Sequence, residues 1–229
     1  MRRAVQSTRT PLRTVVVLAA FGVALSVFTA STALAQTFTV LYKFTGGADG
    51  GTPYSALIMD AAGNLYGTTY SGGSSGYGTV YMLDTKGNET VLHSFTGGGD
   101  GVNPDTGLTM DHAGNLYGTT SADFGSNGTV FKLSHSGSSW TLNTLYTFTG
   151  GSDGANPSGR VIFGLDGSLN GIANAGGSAG NGTLFRLQPP ASACKTALCP
   201  WTETVLHSFT GAKGDGADPR GRLDPGRRR

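Results

Sequence analysis

Carboxylates at recurring positions are the chemistry this sequence offers first. Asp60 and Asp111 open two copies of one phrase, "DAAGNLYGTT" (60–69) and "DHAGNLYGTT" (111–120). Two acids brought together in space are the equipment of glycoside hydrolysis, and sequence distance does not forbid the meeting. "DGVNPD" supplies Asp100, Asn103 and Asp105, and "DGANP" supplies Asp153 and Asn156. Those are hard oxygen donors of the kind calcium takes, but neither run follows the D-x-[DN]-x-[DN]-G loop, and "DGGTP" (49–53) lacks a second ligand. Asp-Gly turns closed by an Asx hydrogen bond account for Asp49 with Gly50, Asp100 with Gly101, Asp153 with Gly154 and Asp215 with Gly216. No cofactor is expected on this reading, and Ca2+ is the secondary one.

Other reactive groups form no recognisable set. His93 and His207 occupy the phase of the repeat that Tyr42 and Tyr146 fill, which implies one environment accepting either ring rather than a poised base. His112 and His135 fall in turns. There is no H-E-x-x-H or Walker loop, and the unrepeated acids Glu89, Glu203 and Asp123 assemble into no known constellation. A catalytic site ordinarily breaks the symmetry of a repeat, so no catalytic residues are assigned. Cys194 and Cys199 stand with four residues between them in "QPPASACKTALCPW" (188–201). A local disulfide is the expected pairing, adding about 2 kcal/mol for so small a loop. Zinc would need two further ligands, which no other Cys or His pair supplies.

The elements that hold these residues repeat. "LYKFTGG" (41–47), "LHSFTGG" (92–98), "LYTFTGG" (145–151) and "LHSFTGA" (206–212) lie 51, 53 and 61 residues apart, the insertion with the cysteines lengthening the last interval. An Asp-Gly pair and a proline follow each time, then "NLYGTT" (64), "NLYGTT" (115) or "SLNGIA" (168), then "GTVYML" (78), "GTVFKL" (128) or "GTLFRL" (182). Each unit therefore predicts four short strands, in the first unit about 54–60, 64–70, 79–83 and 90–95. Their links are too short for crossover helices, so neighbours are antiparallel. In "TVYML" both faces carry apolar residues, as a sheet covered on both sides requires. The expected fold is all-β and β-propeller-like, with tandem four-stranded antiparallel blades at about 53–96, 104–149 and 157–210, an orphan N-terminal strand at 38–44, and an incomplete ring. A flat solenoid is the runner-up. Gly67 and Gly118 are expected where one sheet approaches the next too closely for a side chain, and Gly63 and Gly114 where a hairpin needs positive φ.

The succession "DAAGNLYGTTYSGG", "GTVYML" and "TVLHSFTGGGDG" resembles the GloVer repeat, over nearly all of 38–219. The third unit departs from it at Gly164, in place of the Asp, and at Asn170, in place of the Tyr. The resemblance implies an extracytoplasmic, propeller-like repeat protein and no established activity.

Composition sets the remaining bounds. Arg2, Arg3, Arg9 and Arg13, the apolar run 15–28 and "ALA" (33–35) read as a signal peptide over 1–35, with an uncleaved anchor as the alternative. The processed chain is then expected outside the cytoplasm or secreted, with no further membrane span. Glycine is 38 of 229 residues, at fixed phase beside Leu, Val, Tyr and Phe, which marks turns rather than disorder. Within 36–219 there are 7 basic and 13 acidic residues, so a nucleic-acid surface is excluded from the expectations. The Arg-rich tail 220–229 breaks off the fourth copy of the motif, from which a truncated or frame-shifted repeat protein is expected. The function expected is a scaffold or binding module at the cell envelope, its partner an unidentified protein or carbohydrate. A secreted hydrolase or lyase acting on polysaccharide is the alternative. Open strand edges predict self-association.

Overall fold

Runs of Leu, Val, Tyr, Phe and Thr bounded by Gly, Asn and Asp become strands, thirteen of them, in a computed structural model that describes residues 37–123, 125–190, 201–221 and 223. The leader, Cys194, Cys199 and most of the Arg-rich tail lie outside the described residues. Among the described residues there is no helix, hence none long and apolar enough to cross a membrane.

The first sheet joins β1 (Ile58–Met59), β2 (Leu65–Thr69), β3 (Thr79–Leu83) and β4 (Glu89–Ser94) in sequence order, all antiparallel. The second repeats the order with β5 (Thr109–Met110), β6 (Leu116–Thr120), β7 (Thr129–Ser136) and β8 (Ser139–Thr147). The third adds β9 (Ala155–Pro157) on β11 (Leu169–Ala175), which sits between β10 (Ile162–Phe163) and β12 (Thr183–Gln188), with β13 (Thr202–Ser208) at the edge. This is a propeller-like all-β array that stays open.

Two expected elements differ. The first strand of each unit pairs over only two residues; in the first unit Thr68 donates its N–H to Ser55 Oγ (3.1 Å), which stands where the ladder would continue. Segment 38–44 forms no ladder and so no strand, although Phe44 packs edge-on against Tyr81, ring centres 4.8 Å apart.

That ring contact recurs. Phe95 meets Phe131 at 5.4 Å and Phe148 meets Phe185 at 5.1 Å, each a T-shaped pair between one sheet's outer strand and the third strand of the next sheet. Around the first pair gather Tyr66, Val80, Leu108, Leu116 and Leu133, and around the second Tyr117, Val130, Leu145, Val161, Leu169 and Leu187. The hydrophobic core is therefore a series of seams between copies. The aromatic ring of the third strand also explains the invariant glycine of the second. Gly67 pairs with Tyr81, Gly118 with Phe131 and Gly171 with Phe185, and each ring lies across its glycine. The close approach expected from a neighbouring sheet thus comes from the glycine's own sheet.

Between the third and fourth strands all three sheets carry a bulge at one phase, between Val80 and Tyr81, Val130 and Phe131, Leu184 and Phe185. The extra residue on the outer strand is Leu92, Leu145 or Leu206. The bulge re-aims the next side chain, His93, Tyr146 or His207, toward the turn that follows.

A methyl at Gly118 would stand 2.5 Å from the Phe131 ring, whereas one at Gly99 meets nothing within 4 Å. Gly118→Ala is expected to lower the stability measured by urea unfolding by about 1 to 3 kcal/mol, while Gly99→Ala leaves the midpoint within about 0.5 kcal/mol. Equal midpoints for the two variants would contradict the ring-over-glycine account.

Candidate functional site

The repeated acids are taken up by structure. In each "FTG" turn the Asp carboxylate accepts from the Thr N–H, from the Thr hydroxyl and from the ring that the bulge has aimed at it. Asp49 takes Thr45 N (2.8 Å), Thr45 Oγ1 (2.5 Å) and Tyr42 OH (3.1 Å). Asp100 takes Thr96 N, Thr96 Oγ1 and His93 Nε2, Asp153 takes Thr149 N, Thr149 Oγ1 and Tyr146 OH, and Asp215 takes Thr210 N, Thr210 Oγ1 and His207 Nε2. Tyrosine and histidine alternate here because each offers a ring N–H or O–H at the same reach. Bonds from Thr210 and His207 hold the Asp215 carboxyl down at about 2.

Gly50, Gly101 and Gly154 follow at φ of 94°, 97° and 103°, pressed upon Thr69, Thr120 and Thr183 with no room for a β-carbon. Gly216 keeps the left-handed φ of 81° without such a neighbour.

Asp60 and Asp111 close hairpins. Each accepts four bonds, from the backbone of Ala62 and Asn64, the Asn64 amide and the Tyr66 hydroxyl in one copy, and from Ala113, Asn115 and Tyr117 in the other. Gly63 and Gly114 turn these hairpins at φ of 90° and 81°. A recess of about 340 Å³ reaches Asp60, His135 and Trp140, but the acid in it is already fully bonded. Asp100 and Asn103 point apart, the former to Thr96 and the latter, through Nδ2, to the Tyr70 carbonyl (2.8 Å). Among the described residues no group of three or more His, Cys, Asp or Glu could hold a metal ion.

Glu89 and Glu203, taken above as unrepeated, stand at one phase: Glu89 opposite Leu83, Glu203 opposite Leu187. Leu142 fills that place in the second sheet, opposite Leu133. Each glutamate has an enclosed Oε1 without a hydrogen-bond partner. Burial first, then the negative field of Asp153, pushes Glu203 up to about 7; burial and Asp49 raise Glu89 likewise.

What does break the symmetry lies where the first strands begin. Tyr54, Asp105 and Ser158 each follow the repeat proline directly, and two positions on stand Ala56, Gly107 and Arg160. Together with Ser55, Thr106, Gly159 and Gly221 these line a recess of about 290 Å³. The residues before the prolines hold this region in place: Thr52, Asn103, Asn156 and Asp218 all adopt φ between 49° and 57°. Asn103 ties the second unit to the first through the carbonyls of Tyr77 and Tyr70, and Asn156 ties the third to the second through Asn127 O and Ala122 N. Tyr54 is exposed and leans on Tyr70, ring centres 5.9 Å apart, while the Tyr70 hydroxyl donates to Asp123 (3.3 Å). Asp123 is thereby joined to the rim. Desolvation lifts the Asp105 carboxyl above its ordinary range, although the residue remains open to solvent. An aromatic face, hydroxyls, one acid and one guanidinium thus converge on one cavity. The sequence signal was present in the changing letters after each proline, hidden by attention to the constant ones.

Fold and site together define a tandem repeat of antiparallel sheets with an asymmetric recess where the first strands begin. The chain belongs to the Gloeobacter/Verrucomicrobia repeat family, whose model matches residues 24–226. No curated protein matches it. Among solved structures it is similar to one provisionally described as a gluconolactonase, at 14% identity over 66% of this chain and 47% of that one, with a TM-score of 0.38. The chain spans under half the length of that protein.

Because Glu203 is held above its ordinary 4.5 in the fold, its contribution to stability is complete below pH 4.5 and is lost as pH rises through about 7. Glu203→Gln is therefore expected to raise the melting temperature by about 3 °C at pH 8 and by under about 1 °C at pH 4.5. Thermal melts at both pH values check it, and a gain equal at the two would refute the buried-carboxyl account.

Proposed function

We propose that this chain is a binding module acting outside the cytoplasm, and that its ligand is a carbohydrate held in the recess of Tyr54, Asp105 and Arg160. The observation that carries the reading is the convergence of unlike side chains at equivalent positions of otherwise matching units. A sugar ring presents an apolar C–H face and a rim of hydroxyls. Tyrosine supplies a flat partner for the face. A carboxylate accepts from vicinal hydroxyls and a guanidinium donates to them in a fixed fork, while Ser and Thr can do either. A cavity of about 290 Å³ suits a residue or two of a glycan rather than a buried cofactor. The leader-like segment 1–35 supports an extracytoplasmic setting.

Binding is preferred over hydrolysis because Glu203, pushed up to about 7, and Glu89 each keep an Oε1 atom enclosed within the fold. The acids on the hairpins are spent on four bonds each.

Glycan-array screening of the purified chain is expected to return a carbohydrate class. Isothermal titration with that glycan then separates the residues: Tyr54→Ala and Asp105→Asn each weaken binding at least about tenfold, about 1.4 kcal/mol, with melting temperature unchanged. Retained affinity in both variants would remove the recess from the account, and release of reducing ends by the wild-type chain would replace binding by catalysis.

A further inference from the structure

Every sheet in the array has two faces, and among the described residues only the second sheet has both covered by another sheet. Its leading face, with Leu108, Leu116 and Phe131, closes on the first sheet; its trailing face, with Val130, Leu145 and Phe148, closes on the third. The same letters stand at the array's two ends without that cover. Leu57 is 45% exposed, where its equivalents Leu108 and Val161 are both 0%. Leu206 is 44% exposed, where its equivalent Leu145 is 7%. Phe209 stacks on His207 in its own strand, while Phe44, Phe95 and Phe148 each have in addition the third-strand ring of the following sheet.

We propose that a second copy of this chain covers these faces, head to tail, the leading face of one copy's first sheet closing on the trailing face of the other's third sheet. The contact continues an interface the chain already builds twice, so its complementarity is given by the repeat itself: Leu57 enters as Leu108 and Val161 do, and Phe209 meets Tyr81 as Phe148 meets Phe185. Two segments now shield the ends in part. At the leading end residues 41–44 place Phe44 on Tyr81; at the trailing end Pro219 sits against Gly182, as Pro104 does on Gly78 and Pro157 on Gly128. Both segments run into the same Thr–Asp turn, Thr45 with Asp49 and Thr210 with Asp215. One copy's 206–219, whose Thr–Asp turn is one residue longer, would then displace the other's 41–53. The described residues of two copies contribute six sheets, within the range in which such arrays close into a ring.

The test is the mass of the purified chain by sedimentation across the micromolar range, with Leu57→Asp and Leu206→Asp as variants at opposite ends. Both positions are exposed, and circular dichroism confirms that the sheets persist. The wild type is expected at two copies and each variant alone at one. An equimolar mixture is expected to restore a one-to-one pair, since the first variant keeps a sound trailing face and the second a sound leading face. Assemblies above two copies that both substitutions reduce to one support the same seam in an open stack. A monomeric wild type, leaving the faces to another occupant, overturns the proposal; so do variants that assemble as the wild type does, or a mixture of folded variants that fails to pair.

Discussion

The structure depends on a ring of one repeat resting on a ring of the next. A sheet of four short strands cannot bury itself: each strand pairs over two to nine residues, and both faces carry apolar side chains. Phe95 on Phe131 and Phe148 on Phe185 convert that liability into cohesion, because the ring that leaves one sheet is the one the following sheet needs. Several further constraints follow from this contact. The ring of the third strand must lie flat across the second strand, so glycine is required at 67, 118 and 171. The outer strand must deliver its Phe inward and its Tyr or His toward the turn, so a bulge is required between them.

Polar closure completes what the rings begin. The turn after each Phe would leave backbone donors exposed at the edge of a seam, and the Asp of that turn collects them together with the Thr hydroxyl. A carboxylate accepting several bonds is stable in its charged form, which is why these acids recur. The glutamates at 89 and 203 show the opposite case, with a buried oxygen unpaired and an acid beside it. Leu142 at the same phase shows that the seam tolerates an apolar residue there.

Much of this was legible because repetition is a packing signal. Strand order, antiparallel pairing and the all-β class follow from the spacing of "LYGTT" and "TVYML" alone. The bulge was not legible, since "ETVLHSF" alternates well enough to pass for a regular strand. The first strands were overextended for a related reason: Ser55 and Thr106 look like strand residues, yet Ser55 spends its hydroxyl on the backbone of the adjoining strand and Thr106 pairs with Thr119 through side chains. The proximity of ring to Gly67 was visible as a need for space, but which sheet supplied the ring depends on register, which no local pattern carries. The recess was hidden by its nature. Its residues are those at which the copies disagree.

That disagreement is the physical basis of the proposal that a ligand is held where the first strands begin. A residue at a ring contact of the seam must satisfy like neighbours in every copy, as Tyr81 and Phe131 do. Positions directly after each proline face a shared cavity instead, and no ladder or ring fixes their type. Tyr54, Asp105 and Ser158 differ in charge, volume and polarity while the prolines before them and the left-handed residues before those hold constant. A scaffold that holds constant geometry beneath variable chemistry is what recognition requires, since the backbone positions are set by packing and the side chains are left to set specificity.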